Sequence, residues 1–451
     1  MTYTAVDPYS GAVGVSLPGI TPEDLERTVS AAFETWSRWR REPADRTVVL
    51  ERVAALHQER RDELAAIVVS EMGKPIRGAL NEVDFSAEIY RYYARNAAAL
   101  LAPEPIPIPG GVAEVRRCSL GPLLGIMPWN YPVYQVARFA APNLALGNPL
   151  LLKHAPQCPA TALAIEQIFV DAGLDPGGYT NVALELGQVA GVVADPRVRG
   201  VSLTGSDRAG SAVAELAGRH LKKVVLELGG SDPFIVLGAD DLQASVRAAV
   251  EARLGNGGQS CNAAKRFIVV DELYDDFAAG FVAAMAAVEP GDPRDPATRL
   301  GPMASEDAAR RLQDQVERAI AHGARVLLAP RPREGAMFWP VVLGEVSSEN
   351  PAFAEEFFGP VAQLYRVRSE DEAIELANAT AFGLGSYVFT PDAAQAARVA
   401  DRLDVGMVYV NVVGAESPEL PFGGVKRSGF GRELGAAGIE EFMNRKLVRV
   451  R

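Results

Sequence analysis

A chain of 451 residues is too long for a single compact core, so two or three domains are expected. Hydrophobic residues make up 48% and charged residues 23%, the balance of an ordinary globular protein rather than a disordered or fibrous one. A formal charge of −12 argues against a polyanionic partner such as nucleic acid, yet leaves room for a local basic pocket.

The three cysteines, Cys118, Cys158 and Cys261, are scattered and make no disulfide framework, which points to a reducing, cytoplasmic setting. His57, His154, His220 and His322 are far apart in sequence, and none sits in a metal-ligand motif, so no metal is expected. The start, Met1-Thr2-Tyr3-Thr4-Ala5, lacks the basic and apolar regions of a signal peptide. Apolar runs such as 361–365 are too short to span a bilayer, so no membrane partner is expected.

The first hundred residues read as helices. Thr21-Pro22-Glu23-Asp24 supplies an N-cap, a proline at the first helical position and a carboxylate at the capping-box position. Leu25, Val29, Ala32, Phe33 and Trp36 then recur at helical spacing. A second helix is predicted over 44–72, stopped by Gly73 with Pro75 beyond, and a third over 78–101. Alternate prolines from Pro103 to Pro109 forbid a central strand, so that segment is an exposed connection or edge. Residues 112–120 then alternate as a strand.

From Gly121 strands and helices alternate. Strands are predicted over 123–127, 149–153, 181–185, 198–203 and 223–228, with helices over 133–145, 158–171, 187–194 and 209–218. That order implies a parallel, doubly wound α/β sheet. A second α/β run fills 231–406. The last six residues, 446–451, alternate like an edge strand able to return to 112–120.

Three motifs carry chemistry. Cys261 lies in Gly257-Gly258-Gln259-Ser260-Cys261-Asn262, a small, glycine-rich setting that lets a flat group approach a thiolate. Glu227 lies in Leu226-Glu227-Leu228-Gly229-Gly230, and Asn130 in Pro128-Trp129-Asn130-Tyr131-Pro132. Taken singly, each has a plainer reading: a buried small hydrophobe, a strand end, an ordinary turn. A thiol, a carboxylate and an amide donor are nonetheless the parts of an acyl-transfer site.

In this order and wording the motifs resemble the aldehyde dehydrogenase superfamily, over nearly the whole chain. The resemblance implies two doubly wound α/β domains, one binding the cofactor and one catalytic, plus a small β bridging arm. Residues 1–99 and 121–229 correspond to the dinucleotide-binding domain, 230–430 to the catalytic domain, and 100–120 with 431–451 to an oligomerisation arm. A homodimer or homotetramer follows from that arm.

The implied reaction is oxidation of an aldehyde to a carboxylate. Cys261 would attack the aldehyde carbon, Asn130 with the Cys261 N–H would stabilise the oxyanion, and Glu227 would activate the hydrolytic water. Relatives that pass the acyl group to coenzyme A typically lack this glutamate. The cofactor implied is NAD or NADP. Gly205, Ser206 and Gly210 match a turn beside its pyrophosphate, Lys153 the residue reaching the adenosine ribose, and Glu356 the residue holding the nicotinamide ribose. Trp129 and Phe358 complete that set. Relatives that prefer NAD often carry a glutamate three residues after the lysine; here that position is Pro156, so NADP stays open.

Wording such as Leu152-Lys153-His154-Ala155-Pro156 and Glu227-Leu228-Gly229-Gly230-Ser231-Asp232-Pro233-Phe234 is similar to the short bacterial succinate-semialdehyde dehydrogenases. By that resemblance Arg138 binds a distal carboxylate and Ser417 belongs to the same pocket, with Phe422 and Trp129 as apolar walls. Read on its own, Arg138 could be a helix-surface arginine. Some members place a second arginine six residues before the cysteine; here that position is Gly255, with Arg253 two residues earlier. Another small aldehyde, or a non-catalytic member of the family, are the competing readings.

Overall fold

The computed structural model describes residues 2–41 and 46–451. Two sheets organise the chain. The first has six strands in the order Gly429–Phe430, Lys223–Glu227, Gly200–Thr204, Leu123–Ile126, Leu150–Lys153 and Tyr179–Asn181. All neighbours pair in parallel except Gly429–Phe430, which closes one edge antiparallel. Strands Leu150–Lys153 and Gly200–Thr204 are buried along their whole length, as central strands of a parallel sheet covered on both faces are.

The second sheet has seven strands, in the order Arg325–Leu328, Val341–Gly344, Val361–Val367, Ala264–Val270, Asp232–Val236, Tyr387–Phe389 and Tyr409–Val410. Only its first pair is antiparallel. Ala264–Val270 lies at its centre, with all seven residues buried. A third, three-stranded sheet places Val112–Ser119 between Glu104–Ile106 and Met443–Val450. The predicted return of the C-terminus is present, in register from Met443 opposite Ser119 to Val450 opposite Val112. The proline-rich segment supplies the short edge strand Glu104–Ile106.

Helix Pro22–Arg41 starts on the predicted capping box, with Thr21 Oγ1 accepting the Asp24 N–H at 3.1 Å and donating to its carboxylate at 2.7 Å. Three expectations need correction. Ala44, where the second helix was predicted to begin, lies outside the described residues, and the remainder is two helices, Arg46–Glu59 and Arg61–Met72. The break falls at Arg60, with φ −106° and ψ 21°. An N-terminal antiparallel hairpin, Thr2–Val6 with Val13–Pro18, stands where only helices were expected. Tyr3 and Ala5 face inward, and Asp7 makes the turn by accepting the N–H groups of Tyr9 and Ser10. The strand predicted over 181–185 sits earlier, at Tyr179–Asn181, where Leu150 fixes the register opposite Tyr179.

Among the described residues no helix is long and apolar enough to cross a membrane, and no cluster of side chains suits a metal ion.

Candidate active site

Helix Leu242–Leu254 runs into a tight turn, Gly255–Gly258, and the chain then passes Cys261 to enter the central strand. Asn256, Gly257 and Gly258 all have left-handed backbone, with φ of 53°, 64° and 73°. A Cβ on Gly258 would fall 2.3 Å from the Gly359 carbonyl oxygen, so glycine is needed for the loop to pass that segment. Cys261 itself is half-buried and forms part of the wall of a cavity of about 890 Å³. Burial pushes its thiol up to about 12, while Arg138 and then Lys265 pull it back down.

Asn130 is bonded to this loop, and the strand ending in Glu227 reaches it through its backbone at Gly230. The Asn130 amide donates to the Gln259 carbonyl at 3.1 Å, and Asn256 Nδ2 donates to the carbonyls of Asn130 at 2.9 Å and Gln259 at 3.1 Å. Asn130 is therefore tied to the residues just before the sulfur. Glu227 ends its strand fully buried, and neither carboxylate oxygen has a hydrogen-bond partner among the described residues. Burial holds its carboxyl well above the usual range, and Arg138 opposes that shift. A carboxylate raised in this way is suited to accepting a proton near neutral pH. Gly229 and Gly230 follow at once; a Cβ on Gly230 would lie 2.4 Å from the Cys261 carbonyl oxygen, so the strand end abuts the Cys261 backbone.

The helix after Asn130, Tyr134–Leu146, is buried at all 13 positions. Its first turn is capped by Glu82, whose Oε1 accepts the N–H groups of Val133 at 2.8 Å and Tyr134 at 3.1 Å. Lys74 neutralises Glu82 in a fully buried ion pair and stands 3.6 Å over the Tyr131 ring. These contacts fix the entry angle of the helix and hence the turn carrying Asn130.

The expected cofactor residues fall into separate local groups. Trp129 and Phe358 meet edge to face, with ring centres 5.7 Å apart. Glu356 Oε1 accepts the Gly230 N–H at 3.0 Å and lies 3.4 Å from Lys265 Nζ. Gly205 and Ser206 stand at the start of helix Asp207–Arg219, where Ser206 Oγ accepts the Ala209 N–H at 3.3 Å. Gly210 lies one turn in and packs on Leu228, whose side chain a Cβ would meet at 2.6 Å, so its part is close helix–sheet approach. Lys153 is buried at the end of its strand; among the described residues its hydrogen bonding is a single long contact, 3.5 Å to the His154 carbonyl. Its ammonium thus keeps donors to spare. A helix N-terminus, a spare ammonium and an aimed carboxylate fit a nicotinamide dinucleotide. Pro156 brings no carboxylate against a 2′-phosphate.

Arg138 is not on the helix surface. It is fully buried, lines the cavity with Cys261, and forms an ion pair with Glu433. Its guanidinium lies 4.3 Å from the centre of the Phe422 ring, while Nη1 and Nη2 make only long contacts, 3.4 Å each, to Tyr134 Oη and Thr204 Oγ1. Phe422 is buried and lines the same cavity. Ser417 does not line it; its carbonyl accepts the Leu420 N–H at 3.1 Å, and its neighbour Glu416 lines the cavity instead, accepting from Asn262 at 2.8 Å. Gly255 lines the wall where some relatives carry arginine, whereas Arg253 is buried beneath the loop and donates to the Gly258 carbonyl at 2.7 Å.

Sequence reasoning missed Lys265, Glu433 and the Lys74–Glu82 pair. Lys265 had one signal, a pair of charges with Arg266 opening a strand that is apolar from Phe267 onward. Glu433 had none, because its partner Arg138 is remote in the chain.

A sequence model of the aldehyde dehydrogenase family matches residues 1–448. The chain belongs to the aldehyde dehydrogenase family. It is 52% identical to a Deinococcus radiodurans protein named succinate-semialdehyde dehydrogenase (NADP(+)), over 99% of this chain and 94% of that one. It is 42% identical to succinate-semialdehyde dehydrogenase (NADP(+)) 1 of Mycobacterium tuberculosis, over 99% of both. Among solved structures, the succinic semialdehyde dehydrogenase of Streptococcus pyogenes in complex with NADP+ superposes with a TM-score of 0.98 at 38% identity, over 99% of both chains. The two doubly wound sheets and the β arm are thus this family's fold.

Proposed function

We propose that this aldehyde dehydrogenase oxidises succinate semialdehyde to succinate with NADP in the cytoplasm. The observation that carries the reading is that buried Arg138 and half-buried Cys261 open on one cavity. Relatives at 52% and 42% identity bear the name of that activity. Cys261 is the nucleophile: its thiol loses its proton to solvent, and the sulfur adds to the aldehyde carbon. Asn130 Nδ2 and the Cys261 N–H stabilise the resulting oxyanion. Bound NADP supplies the acceptor for the hydride that leaves the carbon, and a thioester to Cys261 remains. Glu227 then takes a proton from water, whose oxygen attacks the thioester; the acid departs and the thiol is restored.

Lys153, Gly205, Ser206, Glu356, Trp129 and Phe358 hold the cofactor. Pro156 in place of a carboxylate and the spare donors of Lys153 support NADP over NAD. The unit of residues 1–99 and 121–229 binds the cofactor, 230–430 supply the nucleophile, and 100–120 with 431–451 form the arm of a homodimer or homotetramer. A panel of short aldehydes with NADP and NAD, read by reduced-cofactor absorbance, tests the assignment; preference for an uncharged aldehyde would favour another small aldehyde as substrate.

Arg138 selects the carboxylate end of the substrate through Nη1 and Nη2. A charge-assisted bond of this kind is worth about 1.5–3 kcal/mol. Arg138→Ala should therefore lower kcat/KM for succinate semialdehyde by roughly tenfold to a hundredfold. That variant also leaves Glu433 buried without its partner, so the comparison between aldehydes is decisive. An uncharged aldehyde of similar length should lose much less, and equal losses would remove Arg138 from substrate selection.

Strands Val112–Ser119 and Met443–Val450 leave Leu447 and Val450 exposed, at 64% and 60%. An apolar edge of that kind needs covering. Deleting residues 446–451 is expected to weaken assembly, seen as a smaller sedimentation coefficient than the full chain; unchanged sedimentation would contradict the arm's role.

A further inference from the structure

Lys265 is the second residue of the central strand and is 1% exposed. Its Nζ donates to three carbonyls of the nucleophile loop, Ser260 at 3.1 Å, Cys261 at 2.9 Å and Ala263 at 3.0 Å. On its other side lies Glu356 Oε1, at 3.4 Å. A neutral amine has two N–H groups, so three carbonyls and a carboxylate around one nitrogen call for the ammonium. Burial disfavours that charge, and Glu356 is the strongest group restoring it; Arg253, Asp232 and Cys261 also face it.

A buried ammonium is a costly way merely to staple a loop. The adjacent Arg266 anchors other segments, donating to the carbonyls of Ser231, Leu376 and Ala377 at 2.8 Å each. What distinguishes Lys265 is the pair of groups it joins. One is the backbone of the nucleophile. The other is Glu356, the carboxylate assigned to the nicotinamide ribose, whose remaining anchor is the Gly230 N–H at 3.0 Å.

We infer that Lys265 is a positioning residue that sets the distance between the Cys261 sulfur and the nicotinamide ring by clamping Glu356 to the nucleophile loop. The inference rests on the roles given above to Cys261 and Glu356. Without the clamp, Glu356 is a half-buried carboxylate held by the Gly230 N–H, free to swing from the ribose. The thiol also loses a neighbouring positive charge.

The test compares Lys265→Met with wild type in three measurements. The burst rate constant for reduced NADP, normalised to burst-active sites, is expected to fall about tenfold or more, which is about 1.4 kcal/mol of lost positioning. The Kd for oxidised NADP, followed by protein fluorescence without aldehyde, is expected to rise. Alkylation of Cys261 by iodoacetamide in cofactor-free protein at fixed pH is expected to slow. Lys265→Gln keeps two N–H donors for the carbonyls but not the charge, and carries the same expectations if the methionine variant does not accumulate. In a cycle with Glu356→Gln, the double variant should lose no more than the worse single one. Wild-type burst rate constant and Kd in both Lys265 variants, a loss confined to melting temperature and burst amplitude, or additive losses in the cycle would each overturn the inference. Failure of the underlying assignment is separate: it would show in a Glu227→Gln protein with Lys265 intact, mixed with succinate semialdehyde and NADP, as a burst with no acyl group on Cys261.

Discussion

Cys261→Ala is expected to abolish aldehyde oxidation while leaving NADP binding close to wild type. The sulfur is the only group in this arrangement that makes a covalent bond to the substrate, so the fall in kcat should be roughly ten-thousandfold or more. Folding should be little affected, because the side chain is half-buried at a cavity wall rather than in a packed core. Cofactor binding should persist because Lys153, Ser206 and Glu356 lie outside the altered position. Steady-state assays beside fluorescence titration with NADP check both halves. Substantial residual turnover would assign the covalent step elsewhere.

Glu227→Gln separates the two half-reactions. Acylation does not require a water, so reduced cofactor should still appear in a burst. Hydrolysis does require one, and loss of a general base costs about a hundredfold to ten-thousandfold. The steady rate after the burst should fall by that factor. Burial holds the Glu227 carboxyl high and Arg138 opposes it, so its basic form grows as pH rises. Wild-type turnover limited by hydrolysis should accordingly rise with pH until the carboxyl is ionised, and the glutamine variant should lose that rise. Stopped-flow absorbance across pH checks both; a wild-type steady rate in the variant would require another base.

Cys261, Glu227 and Asn130, the residues proposed as nucleophile, base and oxyanion donor, stand out in the sequence because each sits where glycine or proline interrupts a regular element. The Gly257-Gly258 pair before Cys261 and Gly229-Gly230 after Glu227 mark places where backbones must approach closely, as the 2.3 Å and 2.4 Å clearances at Gly258 and Gly230 bear out. Arg138 was legible as a residue and not as an environment. Its helix is buried on every side, so the lone arginine faces a cavity and a remote glutamate rather than water. Ser417 illustrates the opposite limit. A one-residue shift in an irregular loop puts Glu416 on the cavity in its place. The N-terminal hairpin escaped notice because Val13 and Val15 are exposed, so the strand lacks alternation between buried and solvated faces. Glu433 with Arg138, and Lys265 with Glu356, are ion pairs between residues remote in the chain that only the fold brings together.

The most direct test of covalent catalysis at Cys261 is to trap the intermediate. Glu227→Gln protein mixed with succinate semialdehyde and NADP, acid-quenched at the end of the burst and digested, is to be mapped by mass spectrometry. The expected result is one succinyl group per burst-active site, on the peptide containing Cys261, with Cys118 and Cys158 unmodified. A succinyl group on another residue, or a full burst with no acylated peptide, would contradict the account.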